Sequence, residues 1–444
     1  MPGVVGSTYT GTMEKSLTLL NAFLQETVDQ LTGPLKAERL AALHDHALGK
    51  LPDANLSELS SQSIDLLNRV EQLLQPSSLV LADHFLGWFP IPHVILHFLA
   101  KFVDLWLQGY LNTKCLCAAV EFHIPDLLQA GPRSVGELAE LSGAREDRLR
   151  QILRALHNNG IFSYDLQADE YRNNETSELL ITDHWTQWHN WVNLYGNEFY
   201  DMARGIPASL RKDATRTPAQ INYDTDQNMF DYFTGQGWLP RLHRTLGGGA
   251  TAQAPGILAD YPWEEFGTKT FLDIGGGEGA LVTLLLRKHA SMQGALLDTP
   301  KVIEHARTLF YTAGGKYADV ADRVPPESLI AGDFLKSVPS FEFYTMKWCL
   351  HDWDDTKTTT VLRNIRQAII MSPECRLIVL ESILADGRSS RLSRYADLTM
   401  MVSADGQERT EAQWRYLAGE SGWEIRAIWP LRGAWPCAIE MRPI

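Results

Sequence analysis

The chain has 444 residues, 45% of them hydrophobic and 21% charged, the composition of an ordinary globular protein with more than one domain and ample core material. A formal net charge of −14 argues against nucleic acid or an anionic membrane as partner, because both attract positive surfaces. Its five cysteines (Cys115, Cys117, Cys349, Cys375 and Cys437) show no paired CxxC spacing, and the first residues lack a basic region followed by an apolar one. Free thiols in the cytoplasm are therefore expected.

Residues 1–105 read as an N-terminal helical extension. SLTLLNAFLQETVDQL and LSELSSQSIDLLNRVEQLL carry apolar residues at three- and four-residue spacing without β-rich runs. The most apolar window, His93 to Leu111, is interrupted by Lys101 and Asp104. It reads as a buried or partner-facing helix rather than a membrane span.

Residues 106–250 contain a helix-turn-helix pattern. Ser134 and Glu137 make a capping box for VGELAELS, and Gly143 ends that helix. The next helix places Leu149, Ile152, Leu153 and Leu156 on one face; Gly160 ends it, and IFSYD and EYRNN follow as the strands of a wing. Between Ser134 and Gly160, four arginines (145, 148, 150, 154) are balanced by Glu137, Glu140, Glu146 and Asp147. A DNA-reading helix carries a positive excess, so a winged-helix module for dimerisation is the better expectation.

Residues 251–444 alternate strand and helix. Strands are predicted at TFLDI, GALLD, SLIAG, FEFYTMKW and CRLIVLES, and helices at ALVTLLLRKH, KVIEHARTLF and TKTTTVLRNIRQAII. WEIRAIWP and WPCAIEMRP close the chain as an antiparallel hairpin. This order implies an α/β, Rossmann-like domain with a mostly parallel sheet.

The first of those strands runs into FLDIGGGEGA, with four glycines in five positions. A strand, a bare-backbone turn and a helix N-terminus bind a nucleoside, and Asp298, about 20 residues on, suits ribose hydroxyls. Gly275-x-Gly277-x-x-Ala280 also fits a dinucleotide fingerprint, so a dehydrogenase must be weighed. Asp273 argues against it, since a carboxylate is ill placed beside pyrophosphate but suits an amino-acid ammonium. Asp333 and Phe334, closing the third strand, could bond an adenine amino group and cover its ring. Both features favour S-adenosylmethionine.

LDIGGGEG, LLD, GDF, KWCLHDWDD, VLES and GQERT occur in the order and approximate spacing of a known family. From residue 110 on, the chain resembles the plant and fungal class I O-methyltransferases of the caffeic acid and isoflavone type. The resemblance implies that His351 is the catalytic base and that Glu381 and Glu408 flank and orient it. It also implies that Asp298, Asp333, Phe334 and Lys347 are cofactor positions, that the winged helix forms a homodimer, and that the acceptor is a phenol or another hydroxylated aromatic.

The chemistry suits those residue types. Methyl transfer from a sulfonium requires alignment and removal of the hydroxyl proton, and a positioned imidazole can take that proton. A carboxylate on its other nitrogen fixes the tautomer and stabilises the imidazolium. HDWDD also invites a metal reading, but Asp354 or Asp355 as a helix cap is the simpler one, and no metal is expected. Candidate substrate walls are Met229 and Phe233 in NMFDYFTGQGW and Met400 and Met401 in LTMMV. Gly237 falls where the plant enzymes often carry a ring-clamping methionine, which suggests a wider pocket and a bulkier polyketide or peptide-derived acceptor. Two rivals remain open. One is a same-fold protein that methylates carbon or nitrogen or is inactive; the other is a winged-helix regulator that senses a small molecule.

Overall fold

The computed structural model describes residues 12–43, 51–74, 109–158, 160–385, 391–432 and 434–444. They fall into two units divided after Leu74. The first holds α1 (Met13–Thr32), α2 (Lys36–Leu43) and α3 (Ala54–Leu74). The helical periodicity is realised there, yet α1 and α2 bury no residue, and Leu19, Phe23 and Val28 are exposed. The expected boundary after residue 105, and the apolar window from His93 as far as residue 108, lie outside the described residues.

In the second unit α4 (Gly109–Glu121) leads to the winged helix: α5 (Val135–Ser142), α6 (Glu146–Asn158), β1 (Phe162–Asp165) and β2 (Glu170–Asn173). The capping box at Ser134 is formed in both directions, and Gly143 ends α5 at φ 71°. β1 and β2 pair antiparallel with Tyr164 opposite Tyr171, and Leu138, Leu149, Leu153, Leu156 and Phe162 fill the module's core. Arg145 is paired with Asp147, and Arg150 with Glu146 and Asp169, so these cations already have acidic partners.

The chain continues through α7 (Trp188–Leu194), a π-helical turn at Tyr195–Phe199, α8 (Met229–Gln236) and α9 (Leu239–Asp260). The expected boundary at 250/251 therefore cuts a continuous helix. In its small-residue run GGGATAQA, Gly248, Gly249, Ala250 and Ala254 are buried. A Cβ at Gly249 would meet the Trp191 indole, so close packing, not flexibility, explains that glycine.

The remaining elements are β3 (Thr270–Ile274), α10 (Ala280–Lys288), β4 (Gln293–Asp298), α11 (Pro300–Tyr311), β5 (Leu329–Ala331), β6 (Phe343–Lys347), α12 (Asp355–Ala368), β7 (Arg376–Glu381), α13 (Arg391–Ser403), α14 (Glu411–Glu420), β8 (Trp423–Pro430) and β9 (Cys437–Pro443). They build one seven-stranded sheet in the order β8-β9-β7-β6-β3-β4-β5. Its first five strands in sequence are parallel, and β9 joins antiparallel to β7 and β8. Every residue of β7 is buried, as a strand covered on both faces requires. Alternation sends Phe271, Leu296, Ile378 and Leu380 into one core and Leu272, Leu297, Leu377 and Val379 into the other. Because the strands run parallel, Ile274, Asp298, Ala331, Lys347 and Glu381 all arrive at the same edge of the sheet.

Candidate active site

The glycine loop leaves β3 at that edge. Gly275, Gly277 and Gly279 have φ of 65°, 60° and 93°, a region closed to most side chains. At Gly276 a Cβ would run into the Asp273 carboxylate and stand 2.5 Å from Leu296 Cδ1; at Gly275 it would meet Cys349 Sγ at 2.8 Å. Nothing lies within 4 Å of the same position on Gly277, so the loop packs tightly below and stays open above.

Asp298, at the end of β4, accepts the Gly277 N–H at 2.9 Å and the Thr299 N–H at 2.7 Å. Burial pushes its carboxyl up, and those two amides oppose the rise. Asp273 lies beneath the loop, 1% exposed; its Oδ1 accepts from Thr345 Oγ1 at 2.7 Å, and its Oδ2 has no hydrogen-bond partner. Burial pushes Asp273 up to about 7, against the opposing Thr345 hydroxyl and Lys347 charge. Burial lowers Lys347 while Asp273 and Glu381 hold it up, and its ammonium lies 4.2 Å from the Trp348 ring centroid. Phe334 lies beside the loop, 3.5 Å from where a Gly275 Cβ would stand. Asp333 faces outward, accepting from Leu335 N and paired with Lys336 at 3.1 Å.

His351 sits on a short 3-10 turn, Leu350–Asp352, just after β6. The turn follows Trp348, whose φ of 50° is left-handed, a strained conformation for a bulky residue. Glu381, fully buried at the end of β7, fixes this turn: its Oε1 accepts from the N–H groups of Cys349, Leu350 and His351 at 2.9, 2.9 and 3.4 Å. Its Oε2 lies 3.2 Å from His351 Nδ1. Glu408 Oε1 lies 2.9 Å from the same nitrogen, in hydrogen-bond geometry. A neutral imidazole has one N–H, and Glu408 is placed to take it; Glu381 Oε2 makes an electrostatic contact without a hydrogen bond. Burial lowers the basicity of His351, but Glu381, Glu408 and Asp352 together outweigh it and lift the imidazole to about 10. Glu381 is itself raised, by burial first and then by its acidic neighbours.

The HDWDD segment does not gather as a cluster. Asp354 caps α12 by accepting from Lys357 N, and Asp355 turns to Gln407 and Arg409. Among the described residues one His/Glu group has ligand atoms close enough for an ion, namely His351, Glu381 and Glu408, all within 4.8 Å. Its donor atoms are largely engaged with one another and with three backbone amides.

The predicted substrate walls divide. Phe233 is fully buried in a cluster with Leu194, Phe199, Met202, Leu242 and Val402, and Met229 and Met401 pack at its edge. Met400 is partly buried and outside that cluster. Met229 also borders a pocket of about 270 Å³ with Met202, Tyr223, Tyr232, Ser403 and Asp405, which reaches neither His351 nor the glycine loop. Gly237 caps α8 at φ 74°, so backbone geometry accounts for this glycine without any widened pocket.

Sequence reasoning missed the aromatic cluster that packs on Trp348, just before the histidine turn. Trp348 packs on Trp435 at 5.9 Å and on Trp191 at 6.3 Å, Trp191 stacks on Tyr195 at 5.0 Å, and Tyr195 stacks on Phe199 at 4.7 Å. Tyr195 feels the charges of Asp352 and Glu408, which, with burial as the larger cause, raise its hydroxyl pKa. The aromatic density of HWTQWHNWVNLYGNEFY was the available signal.

The family model of the O-methyltransferase domain matches residues 257–424, and that of the O-methyltransferase dimerisation domain matches residues 105–183. The chain is 53% identical over 435 residues to the O-methyltransferase aclM of Aspergillus oryzae, covering 97% of this chain and 95% of that protein. It is 58% identical over 424 residues to the trimodular acetylaranotin synthesis protein ataIMG of Aspergillus terreus, covering 96% of this chain and 37% of that protein. Among solved structures, the mitomycin 7-O-methyltransferase MmcR is similar with a TM-score of 0.65 and 28% identity, over 78% of this chain and 97% of that one.

Proposed function

The chain belongs to the S-adenosylmethionine-dependent O-methyltransferases, and from that premise we propose that it methylates a hydroxyl of an aromatic-rich secondary metabolite with His351 as general base. The single observation that carries the base assignment is the pair of buried carboxylates on Nδ1. They leave Nε2 as the nitrogen that receives a proton and stabilise the imidazolium that results. The same carboxylates raise the basicity of His351 above that of a free imidazole and toward that of a phenol, which lowers the cost of moving the proton.

The cradle fits the cofactor. Asp298, with Gly275 and Gly277, suits the ribose end, Phe334 suits the adenine, and the unpartnered Oδ2 of buried Asp273, with Lys347 beside it, suits the amino-acid end. S-adenosylmethionine supplies a methyl group on a positively charged sulfur. The protein's part is to hold the acceptor hydroxyl in line, exclude water and take its proton.

The wall of Trp191, Tyr195, Trp348 and Trp435 supports an acceptor with an aromatic or apolar framework, and its relatives, among them the acetylaranotin synthesis protein, point to secondary metabolism. We read the chain as a helical extension, a winged-helix dimerisation module and a methyltransferase domain that begins within α9. Among the described residues no helix is long and apolar enough to cross a membrane. Its free thiols and acidic charge suit the cytoplasm and a small-molecule partner rather than nucleic acid.

The test is to incubate the protein with S-adenosylmethionine and a panel of phenols, naphthols and hydroxylated peptides, following S-adenosylhomocysteine release. His351→Ala is expected to lower turnover roughly 10²–10⁴-fold. Turnover that survives this change would favour methylation at carbon or nitrogen.

A further inference from the structure

Glu408 reaches the imidazole from the segment Gly406–Thr410, and that segment is fastened to the histidine turn at several further points. Gln407 N–H donates to the His351 carbonyl at 2.9 Å. Gly406 lies so close to that carbonyl that a Cβ would collide with it. Arg409, 0% exposed, lies at the centre of the junction. Its Nη1 donates to Leu350 O at 3.0 Å, its Nη2 to Trp353 O at 2.7 Å and Thr358 Oγ1 at 3.1 Å, and its Nε to Asp355 Oδ1 at 2.9 Å. The backbones of Arg409 and Thr410 pair with Ile383 and Leu384, two residues beyond Glu381.

A buried guanidinium is a costly way to fill space, and apolar residues of similar volume often stabilise a fold as well or better. Among the described residues its ionic partner is Asp355, whose side chain is half-exposed. What an arginine offers here is a planar fork that grips two carbonyls and a hydroxyl at once, which a lysine ammonium cannot match. The gripped carbonyls belong to Leu350 and Trp353, which bracket His351. Glu408 thus holds the ring while its neighbour holds the backbone beneath that ring.

Resting on the assignment of His351 as base, we propose that Arg409 is a positioning residue that locks the Leu350–Trp353 turn against Glu408 and so keeps Nδ1 within hydrogen-bond reach. It touches neither of the regions given to the cofactor and the acceptor. Loosening it lets Nδ1 and Glu408 separate, which lowers the imidazole's basicity and misaligns Nε2.

The experiment compares Arg409→Lys and the milder Asp355→Ala with wild type. The readouts are calorimetric affinity for S-adenosylhomocysteine, the ¹⁵N-detected titration of His351, and kcat and KM on the best acceptor from the panel above. Expected for Arg409→Lys are cofactor affinity within about threefold of wild type, a lower imidazole pKa, little change in acceptor KM and a kcat reduced roughly 100-fold, the cost of a misplacement of about 1 Å. Asp355→Ala moves the same quantities in the same direction by less. The proposal is overturned by an unshifted imidazole in folded Arg409→Lys, or by kcat and cofactor affinity falling together. Should Arg409→Lys not fold, an unshifted imidazole and unchanged kcat in Asp355→Ala overturn it equally. An active His351→Ala enzyme would sink the base assignment itself, whereas an inactive one beside an unshifted Arg409→Lys imidazole would sink only the role of Arg409.

Discussion

Two carboxylates face one imidazole nitrogen, and the structure predicts that their amide replacements are not equivalent. In Glu381→Gln, the Cys349 and Leu350 N–H groups, both 2.9 Å from Oε1, hold the amide oxygen where that atom now lies. The amide NH₂ must then occupy the Oε2 position, 3.2 Å from Nδ1, and it opposes a proton on that nitrogen. Glu408 still accepts from Nδ1, so the two tautomers compete, and the form with hydrogen on Nε2, which cannot accept the substrate proton, gains population. A full loss of tautomer in a serine protease costs about 10⁴ in kcat, so a smaller fall of roughly 10–10³ is expected here. In Glu408→Gln, no side-chain amide bond pins the outer group, so the amide oxygen can turn to Nδ1 and the tautomer survives. What is lost is one negative charge 2.9 Å from the ring, worth about 1–3 pKa units. His351 then titrates below its present value of about 10, and the rise of kcat/KM with pH moves to lower pH by the same amount. The sign follows from the base role: turnover needs the neutral imidazole, so activity rises through the pKa, and removing an anion lowers that pKa. ¹⁵N-detected NMR of the imidazole reports both tautomer and pKa without any acceptor, and His351→Gln identifies its signal among the 13 histidines. Equal kcat losses in the two variants, or an unaltered tautomer in Glu381→Gln, would refute the reasoning.

Asp298→Ala removes the acceptor of the Gly277 N–H and is expected to weaken S-adenosylhomocysteine about 10–100-fold by calorimetry, about 1.4 kcal/mol for each factor of ten. Gly276→Ala drives a methyl group into the Asp273 carboxylate and Leu296, so it should lower Tm by the equivalent of about 1–3 kcal/mol and weaken the same ligand. Phe233→Ala empties a fully buried site and is expected to cost about 3–5 kcal/mol in urea unfolding; a loss under 1 kcal/mol would mean that Phe233 lines an accessible pocket rather than a core.

The glycine loop, the strand–helix alternation and the capping box at Ser134 were legible because each depends on residues within a few positions of one another. Ser134 and Glu137 are three residues apart, so sequence alone pairs them. The same holds for Asp354 at the start of α12. Phe233 was legible as apolar but not as core, because helical spacing looks alike for a pocket wall and for an interior. Gly237 has a backbone reason to be glycine as well: its positive φ at the end of α8 leaves no trace in side-chain chemistry.

Glu408 shows where local reading ends. In the polar turn DGQERT a carboxylate is solvated by default, yet this one is 4% exposed and bonded to a histidine 57 positions away. The sequence by itself determined the element types, the order of the parallel strands' motifs and, through resemblance, the residue types of a methyltransferase site. Only the tertiary structure brought the ends of β3, β4, β6 and β7 to one edge and folded the Gly406–Thr410 segment over the last of them. It also decided that two of three nearby acids, Glu381 and Glu408, face Nδ1 of the histidine and that an arginine lies beneath it. Contacts between distant segments depend on how two faces of a sheet are filled, and no local pattern encodes that.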